Sequence, residues 1–370
     1  MIKYFLKFFL RNSISETLIY DKSNWIENTS FLIELMGFSV YSNRVNKNFC
    51  LDDLFMETSA SQYSHNSIEV FNVRSLNSII QSQQSITTVS SGLLLDTYYR
   101  NYLKDSRVYI RISSKLYDCN YLRYYFKPKI LSFDSILNLG TASASVNYYH
   151  FLFDLIPKVS SKINQLCEYN LITFTGPKSR MLEELISLLG INDITVVMNN
   201  KTSYFGKSVC TPSNLAEVGD PDNKTIESIL ALYSRISGNV KKTRYPKKIY
   251  VTRMNASKRR VLNETDLIFE FRKENISVVK LEEYSLIDQY FMFKDAELVI
   301  GAHGAGMSNI VFCKEGTKII EMFPSNYLEP CMFNIASMIN LDYKNIVFES
   351  SDKNNDFLVK LEQLNQLIEL

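Results

Sequence analysis

Three stretches of this chain combine residue types and spacings that could do chemistry. In NYYHFLFDLIP, Asn147 to Pro157, the residues Asn147, His150 and Asp154 stand at i, i+3 and i+7, one face of an otherwise apolar helix. A histidine bonded to a carboxylate one turn later is oriented and made more basic, which suits it to take a proton from a hydroxyl. The competing reading is a buried histidine satisfied by Asp154 and idle in catalysis. In KIYVTRMNASKRRVLNE, Lys248 to Glu264, Arg253 closes a strand, and Arg259 and Arg260 sit in the loop before a helix. Planar guanidinium groups there can stabilise a departing diphosphate without a divalent ion, whereas an arbitrary basic loop is merely solvated.

The third stretch is ELVIGAHGAGMSNIVFCKEGTKIIEMFP, Glu297 to Pro324, in the order strand, glycine-rich turn, helix, strand. Gly301, Gly304 and Gly306 let backbone approach a ligand, and the amides opening the following helix can receive an anion. His303 and Asn309 share the turn, and Glu321, taken as the end of the next strand, is placed to accept from ribose hydroxyls. The bland alternative is a tight turn and a strand-capping acid. Of three histidines, His150 and His303 fall in these stretches, which leaves His65 outside them.

The elements that must hold these residues alternate between strand and helix from Ile130 onward. Leu171 to Thr175 reads as a strand, Ser179 to Leu189 as a helix closed by Gly190, and Ile194 to Met198 as a strand. Ser237 to Pro246 is polar and basic and serves as the expected linker. A second series follows: a strand from Lys248 to Thr252, a helix from Glu264 to Glu274 opened by Asn263, a strand from Ile276 to Leu281, a helix from Leu286 to Phe293, and strands from Leu298 to Ile300 and Lys318 to Met322. Leu358, Leu361, Leu364 and Ile368 are expected on one face of a last helix. Residues 1–128 carry little helical periodicity. The expected organisation is therefore residues 1–238 as one domain, variable over 1–128 and α/β over 129–238, with residues 239–370 as a nucleotide-binding domain. The expected fold class is α/β, two Rossmann-like domains facing a central cleft.

Composition removes other classes. Lys+Arg 41 against Asp+Glu 39 leaves +2, so no overall field points to nucleic acid. The six cysteines are scattered and read as reduced core thiols. The one D-x-D, Asp220-Pro221-Asp222, sits at a helix start and reads as a cap, so no bound metal is expected. Met1 to Arg11 is apolar with Lys3, Lys7 and Arg11, too short to span a bilayer and without a cleavage site. It reads as cytoplasmic sequence, with peripheral contact to the inner membrane face as the alternative.

Taken together, the three stretches resemble the family 61 glycosyltransferases, a group that includes bacterial capsular polysaccharide enzymes, plant xylan-decorating enzymes and animal protein O-linked N-acetylglucosaminyltransferases. The resemblance spans roughly Asn147 to Pro324. It rests on Gly301 to Gly306 (GAHGAG, with His303, Gly304 and Ala305), Asn309 and Glu321, on Tyr250 to Arg253 (YVTR), on Arg260 with Asn263 and Glu264, and on Asn147, His150 and Asp154. It implies a GT-B architecture, a UDP-sugar as co-substrate, inversion at the anomeric carbon and no metal or other cofactor. The acceptor it implies is a glycan or lipid-linked glycan, in capsule, lipopolysaccharide or other surface-polysaccharide synthesis. On that basis His150 with Asp154 is the expected base, and Asn147, Arg253, Arg259, Arg260, Asn263, Glu264, His303 to Gly306, Asn309 and Glu321 are expected around the donor. Two other readings compete. One is an NAD(P)-dependent oxidoreductase, against which the glycines read G-x-x-G-x-G rather than G-x-G-x-x-G. The other is an inert sugar-binding module on the same fold.

Overall fold

The computed structural model describes residues 130–141, 144–174, 176–197, 203–212, 221–238, 240 and 243–369, together with the strand backbones at 19–21, 72–81, 85–88, 92–95 and 107–109. The chain separates into two compact units, the described parts of which lie within Ser67–Gly219, joined there by the strand 19–21, and Asp220–Leu370.

In the first unit a small antiparallel pair joins β1 (Ile19–Asp21) to a strand at Arg107–Tyr109. The larger sheet draws on β2 (Asn72–Gln81), β3 (Ser85–Thr88), β4 (Gly92–Leu95), then, after β5 (Arg107–Tyr109), β6 (Ile130–Asn138), β7 (Leu171–Phe174), β8 (Thr195–Val197) and β9 (Ser203–Pro212). Its order is β4-β3-β2-β9-β6-β7-β8. The β9, β6, β7 and β8 neighbours are parallel, as the alternating pattern requires, and β2, β3 and β4 extend the sheet antiparallel from β9. That extension comes from the part of the sequence with the weakest periodicity.

Between β6 and β7 the chain forms α1, which begins as Tyr148–His150, widens into a π-helical turn at Phe151–Leu155 and resumes as Ile156–Lys162. Pro157 explains part of this, because it lacks the N–H that an α-helical bond would use, and it stands where the α-helix restarts. Helix α2 (Arg180–Leu189) ends where expected, with Gly190 left-handed at φ 66°.

The second unit begins earlier than the boundary at 238/239. Helix α3 (Asn223–Ser237) belongs to it, because Tyr233 is buried against Tyr290 and Phe312 at ring separations of 5.7 and 4.6 Å. Asp222 caps α3, accepting from the Thr225 amide at 2.8 Å and its hydroxyl at 2.7 Å, so the second aspartate of the D-x-D has the capping role expected of it. Asp220 lies outside the described residues. Asp222→Ala should lower stability by about 1 kcal/mol, the usual cost of a lost N-cap, read as a shift in a urea midpoint at unchanged m-value.

Five strands make the sheet of this unit: β10 (Lys248–Val251), β11 (Ser277–Val279), β12 (Leu298–Ala302), β13 (Lys318–Pro324) and β14 (Asp342–Phe348). All pairs are parallel and the order is β11-β10-β12-β13-β14. Helices α4 (Glu264–Lys273), α5 (Leu286–Asp295), α6 (Cys331–Met338) and α7 (Leu361–Glu369) complete it, with an eight-residue 3-10 helix at Ala305–Phe312. Leu267 and Phe271 of α4 and Leu364 of α7 join Tyr250, Ile300, Ile320 and Met322 in one core. The last segment thus packs on the body, but not as one helix. Leu358 precedes the helix and is 55% exposed, whereas Phe357 and Val359 beside it are buried.

The expected linker is partly helix, since Ser237 ends α3, and partly anchored, since the Tyr245 hydroxyl donates to Asp288 at 2.5 Å. Asp288 is also the acid of the capping box that Ser285 opens on α5. Four cysteines are described and all are free: Cys210, Cys313 and Cys331 are buried or partly so, but Cys167 is exposed. His65, Cys50, Cys119 and the segment from Met1 to Arg11 lie outside the described residues. Among the described residues no helix is long and apolar enough to cross a membrane.

Candidate functional site

In the second unit the strand order reverses at β10 and β12. From β10 the chain crosses to β11 on one side; from β12 it continues to β13 on the other. Open α/β sheets bind ligands beyond the carboxyl ends of their strands at such a point. Arg253 follows β10 and His303-Gly304 follows β12, so two of the three stretches meet where the topology makes a ligand site.

The local geometry is set by Glu264 at the start of α4. Its buried Oε1 accepts from the Tyr250 hydroxyl at 2.7 Å, the Thr252 hydroxyl at 2.7 Å and the Arg253 amide at 2.9 Å. This carboxylate fixes the direction in which the chain leaves β10. Its first turn position also favours an acid. The expected donor-contacting role of Glu264 is corrected to that of a buried clamp.

Arg253 then donates from Nε to the Arg259 carbonyl at 3.2 Å and from Nη2 to the Lys258 carbonyl at 2.9 Å. Its Nη1 lies against Gly304, where an added Cβ would come within 1.9 Å. Burial, and next the neighbouring Arg259 charge, lower the Arg253 guanidinium to about 10, so it stays charged at neutral pH but in an unfavourable setting. Arg259 is left-handed, at φ 54°, and donates from Nε to the His303 carbonyl at 3.2 Å. Its guanidinium lies over the Tyr327 ring at 4.4 Å. The amides of Gly304, Ala305 and Gly306 meet no acceptor among the described residues. Two guanidinium groups and three free amides thus gather on one turn, an arrangement suited to an anion.

His303 is supported from behind. Its Nδ1 pairs with Glu321 Oε1 at 2.8 Å, and its ring stacks on Phe323 at 5.0 Å. Glu321 is the correction with the largest consequence. The strand runs on to Pro324, so Glu321 is in its middle, 0% exposed, with Oε2 accepting from the Tyr343 hydroxyl at 2.5 Å. Burial, and then the Glu321 charge, raise the Tyr343 phenol well above its ordinary value, which keeps it a donor. Both carboxylate oxygens are therefore engaged inside the protein.

Other expected donor contacts also prove to be supports. Asn309 is fully buried, donating to Gln289 Oε1 at 3.0 Å and to the Gly306 carbonyl at 3.2 Å, which holds the turn in shape. Asn263 does not cap α4 with its side chain; it pairs with both backbone groups of Val359 at 2.9 Å. Arg260 is turned to Asp356, with Nη2 to Oδ2 at 2.6 Å.

In the first unit Asn147 caps α1, accepting from the Tyr149 amide at 2.9 Å. The His150 and Asp154 pair forms as the spacing implies: Nδ1 to Oδ2 is 2.7 Å, with the side chains 20% and 4% exposed. The buried carboxylate orients the imidazole, and the ring keeps an edge to solvent. One turn on, Lys158 is buried and donates to the Gly140 carbonyl at 3.2 Å. Sequence reading passed over Lys158, although it continues the 150 and 154 stripe at i+4. It also passed over Tyr327, Tyr343 and Asp356, which only the fold brings near. Among the described residues no three or more His, Cys, Asp or Glu side chains gather as a metal site would require.

Residues 148–320 match the family model Glycosyltransferase 61. Protein O-linked-mannose beta-1,4-N-acetylglucosaminyltransferase 2 of Xenopus tropicalis is 23% identical over 168 residues, 44% of this chain and 22% of that protein. The proteins of the same name from Mus musculus and Homo sapiens are each 22% identical, over 167 and 168 residues, again 44% of this chain and 22% of theirs. The chain thus covers about a fifth of the length of these relatives. The matches liken residues 148–320 to a glycosyltransferase region.

Proposed function

We propose that this chain is an inverting, metal-independent glycosyltransferase of the GT-B type that moves a sugar from a UDP-sugar to a hydroxyl of a glycan acceptor. The observation that carries the reading is the anion site at the β10/β12 reversal, where Arg253, Arg259 and the amides of Gly304 to Gly306 converge. A diphosphate held there gains charge as the glycosidic bond breaks, and fixed guanidinium groups and amides stabilise that charge without reorganising. His303, oriented by Glu321, completes the wall of this site. His150, held by Asp154, takes the proton of the attacking acceptor hydroxyl in a single in-line displacement.

The relatives are named for transfer of N-acetylglucosamine to O-linked mannose, which supports a glycan hydroxyl as acceptor and makes UDP-N-acetylglucosamine the first donor to try. A lipid-linked acceptor in surface-polysaccharide synthesis, with a cytoplasmic enzyme touching the membrane through residues 1–11, is a proposal resting on the sequence of that segment. The oxidoreductase reading loses its support, because it needs an acid free to bind ribose and Glu321 is buried and doubly bonded. An inert sugar-binding module remains distinct by outcome: it binds UDP without turning over a UDP-sugar.

A thermal-shift experiment in excess EDTA tests the donor. UDP at about a hundred times its Kd should stabilise by about 2.7 kcal/mol, or roughly 5–10 °C for a unit of this size. The same shift should persist with Mg²⁺ or Mn²⁺ added. A response to NADH alone, or to UDP only with metal, would overturn the donor or the metal independence.

A further inference from the structure

Arg259 does not hold its own conformation. A left-handed backbone is uncommon for a residue with a side chain and persists where neighbours enforce it. The enforcement comes from residues 350–359, beyond the span that matches the family model. The Arg259 amide donates to the Asn354 carbonyl at 3.0 Å, and on its other side the Arg260 amide donates to Asp356 Oδ1 at 2.9 Å. The Arg260 Nε adds a bond to Asp356 Oδ2 at 2.8 Å. Phe357 extends the grip: its amide donates to the Arg260 carbonyl at 3.0 Å and its carbonyl accepts from Leu262 at 2.8 Å, in a parallel bridge with Val261. Asn263 and Val359 close the seam with their paired bonds.

The gripping segment is itself stiff. Asp352 Oδ1 accepts from the amides of Asn354 and Asp356 at 2.9 and 3.0 Å, and Phe357 and Val359 are rooted in the core beside Leu364. Asp356 is wholly buried, although the Arg260 side chain paired with it is half-exposed.

We propose that residues 350–359 act as a splint for the diphosphate-binding loop, with Asp356 the positioning residue that sets Arg259 through the backbone of Arg260. The inference rests on the nucleotide reading of the anion site. It makes a prediction of unusual sign. Asp356 is an anion near an anion site, so by charge alone its removal would tighten binding of a diphosphate. As a splint, its removal loosens binding.

Asp356→Asn, nearly isosteric, should weaken UDP binding roughly tenfold by titration calorimetry, the effect of about one lost charge-assisted bond. Amide exchange at Arg259 and Arg260 should quicken, and in an Arg260→Ala background the substitution should still weaken binding, because the bond from the Arg260 amide remains there to be lost. Equal or tighter UDP binding by Asp356→Asn, with those amides still protected, would overturn the splint. If the unaltered protein bound no UDP, the nucleotide reading would fall on its own. The splint would then be judged with inorganic pyrophosphate as probe and by the same amide exchange: weaker pyrophosphate binding with faster exchange sustains it, and no change in either removes it.

Discussion

Gly304→Ala is expected to weaken UDP binding roughly 10²-fold while leaving the melting temperature near that of the unaltered protein. The backbone at Gly304 is extended, φ 166° and ψ 172°, so alanine can adopt it without strain. The obstacle is outside the backbone. The new methyl would lie 1.9 Å from Arg253 Nη1 and 2.8 Å from its Cζ, so the guanidinium must leave. With it go the charge that faces the diphosphate and the bonds to the carbonyls of Lys258 and Arg259 that shape the loop. Losing two contacts of about 1.5–3 kcal/mol each, partly offset by relaxation of a buried charge, gives the stated factor. The variant removes no polar group, which separates room for Arg253 from any chemistry of the glycine. Arg253→Ala should show a similar loss, and the double variant should be no worse than either, because one contact cannot be lost twice. Wild-type affinity in Gly304→Ala would show that Arg253 does not work from the position it holds.

His150→Ala should behave in the opposite way. Transfer from a UDP-sugar should slow by roughly 10²- to 10⁴-fold, the range for a positioned general base, with UDP affinity unchanged. None of the bonds that hold Arg253 and Arg259 involves His150, so its truncation leaves them intact. Asp154→Asn should fall in the same direction, since the amide cannot stabilise an imidazolium as the buried carboxylate does. A parallel fall in UDP affinity and rate for His150→Ala, with a lowered melting temperature, would mark the histidine as part of the packing of α1.

What the sequence made legible follows from what side-chain pattern reports. The runs at Lys248, Leu298 and Lys318 read as strands because strands buried on both faces are nearly continuous in apolar residues. Gly190 announced the end of α2 because only glycine is at ease at φ 66°. The His150 and Asp154 pair was legible because four residues make about one helical turn. Depth was not legible. Glu321 interrupts Ile319-Ile320 and Met322-Phe323, and a charged residue in that run looks like a strand end when it is a buried partner for His303 and Tyr343. Asn263, Glu264 and Asn309 mislead similarly: polar residues near a site look like contacts to a ligand until the bonds they make inside are seen. The membership of α3 was hidden for another reason. Its apolar face, Ile226, Ile229, Leu232 and Tyr233, shows that it packs but not against which unit. The segment from Cys331 to Phe348 was not read, and it supplies Tyr343.

The π-helical turn at Phe151–Leu155 bears on how this stretch tolerates changes in length. Such a turn contains one residue more than an α-helix needs over the same rise, so a single codon could be lost there and the hydrogen-bond ladder would close again without a gap. Residues three apart and residues four apart both share one face of an α-helix, so the side chains on either side of the lost position would stay neighbours. A copy of this chain shortened by one between His150 and Asp154 would keep a continuous helix and hold the histidine and its carboxylate at i, i+3 instead of i, i+4. In alignments of related chains, a gap at this place would therefore leave the pair within reach.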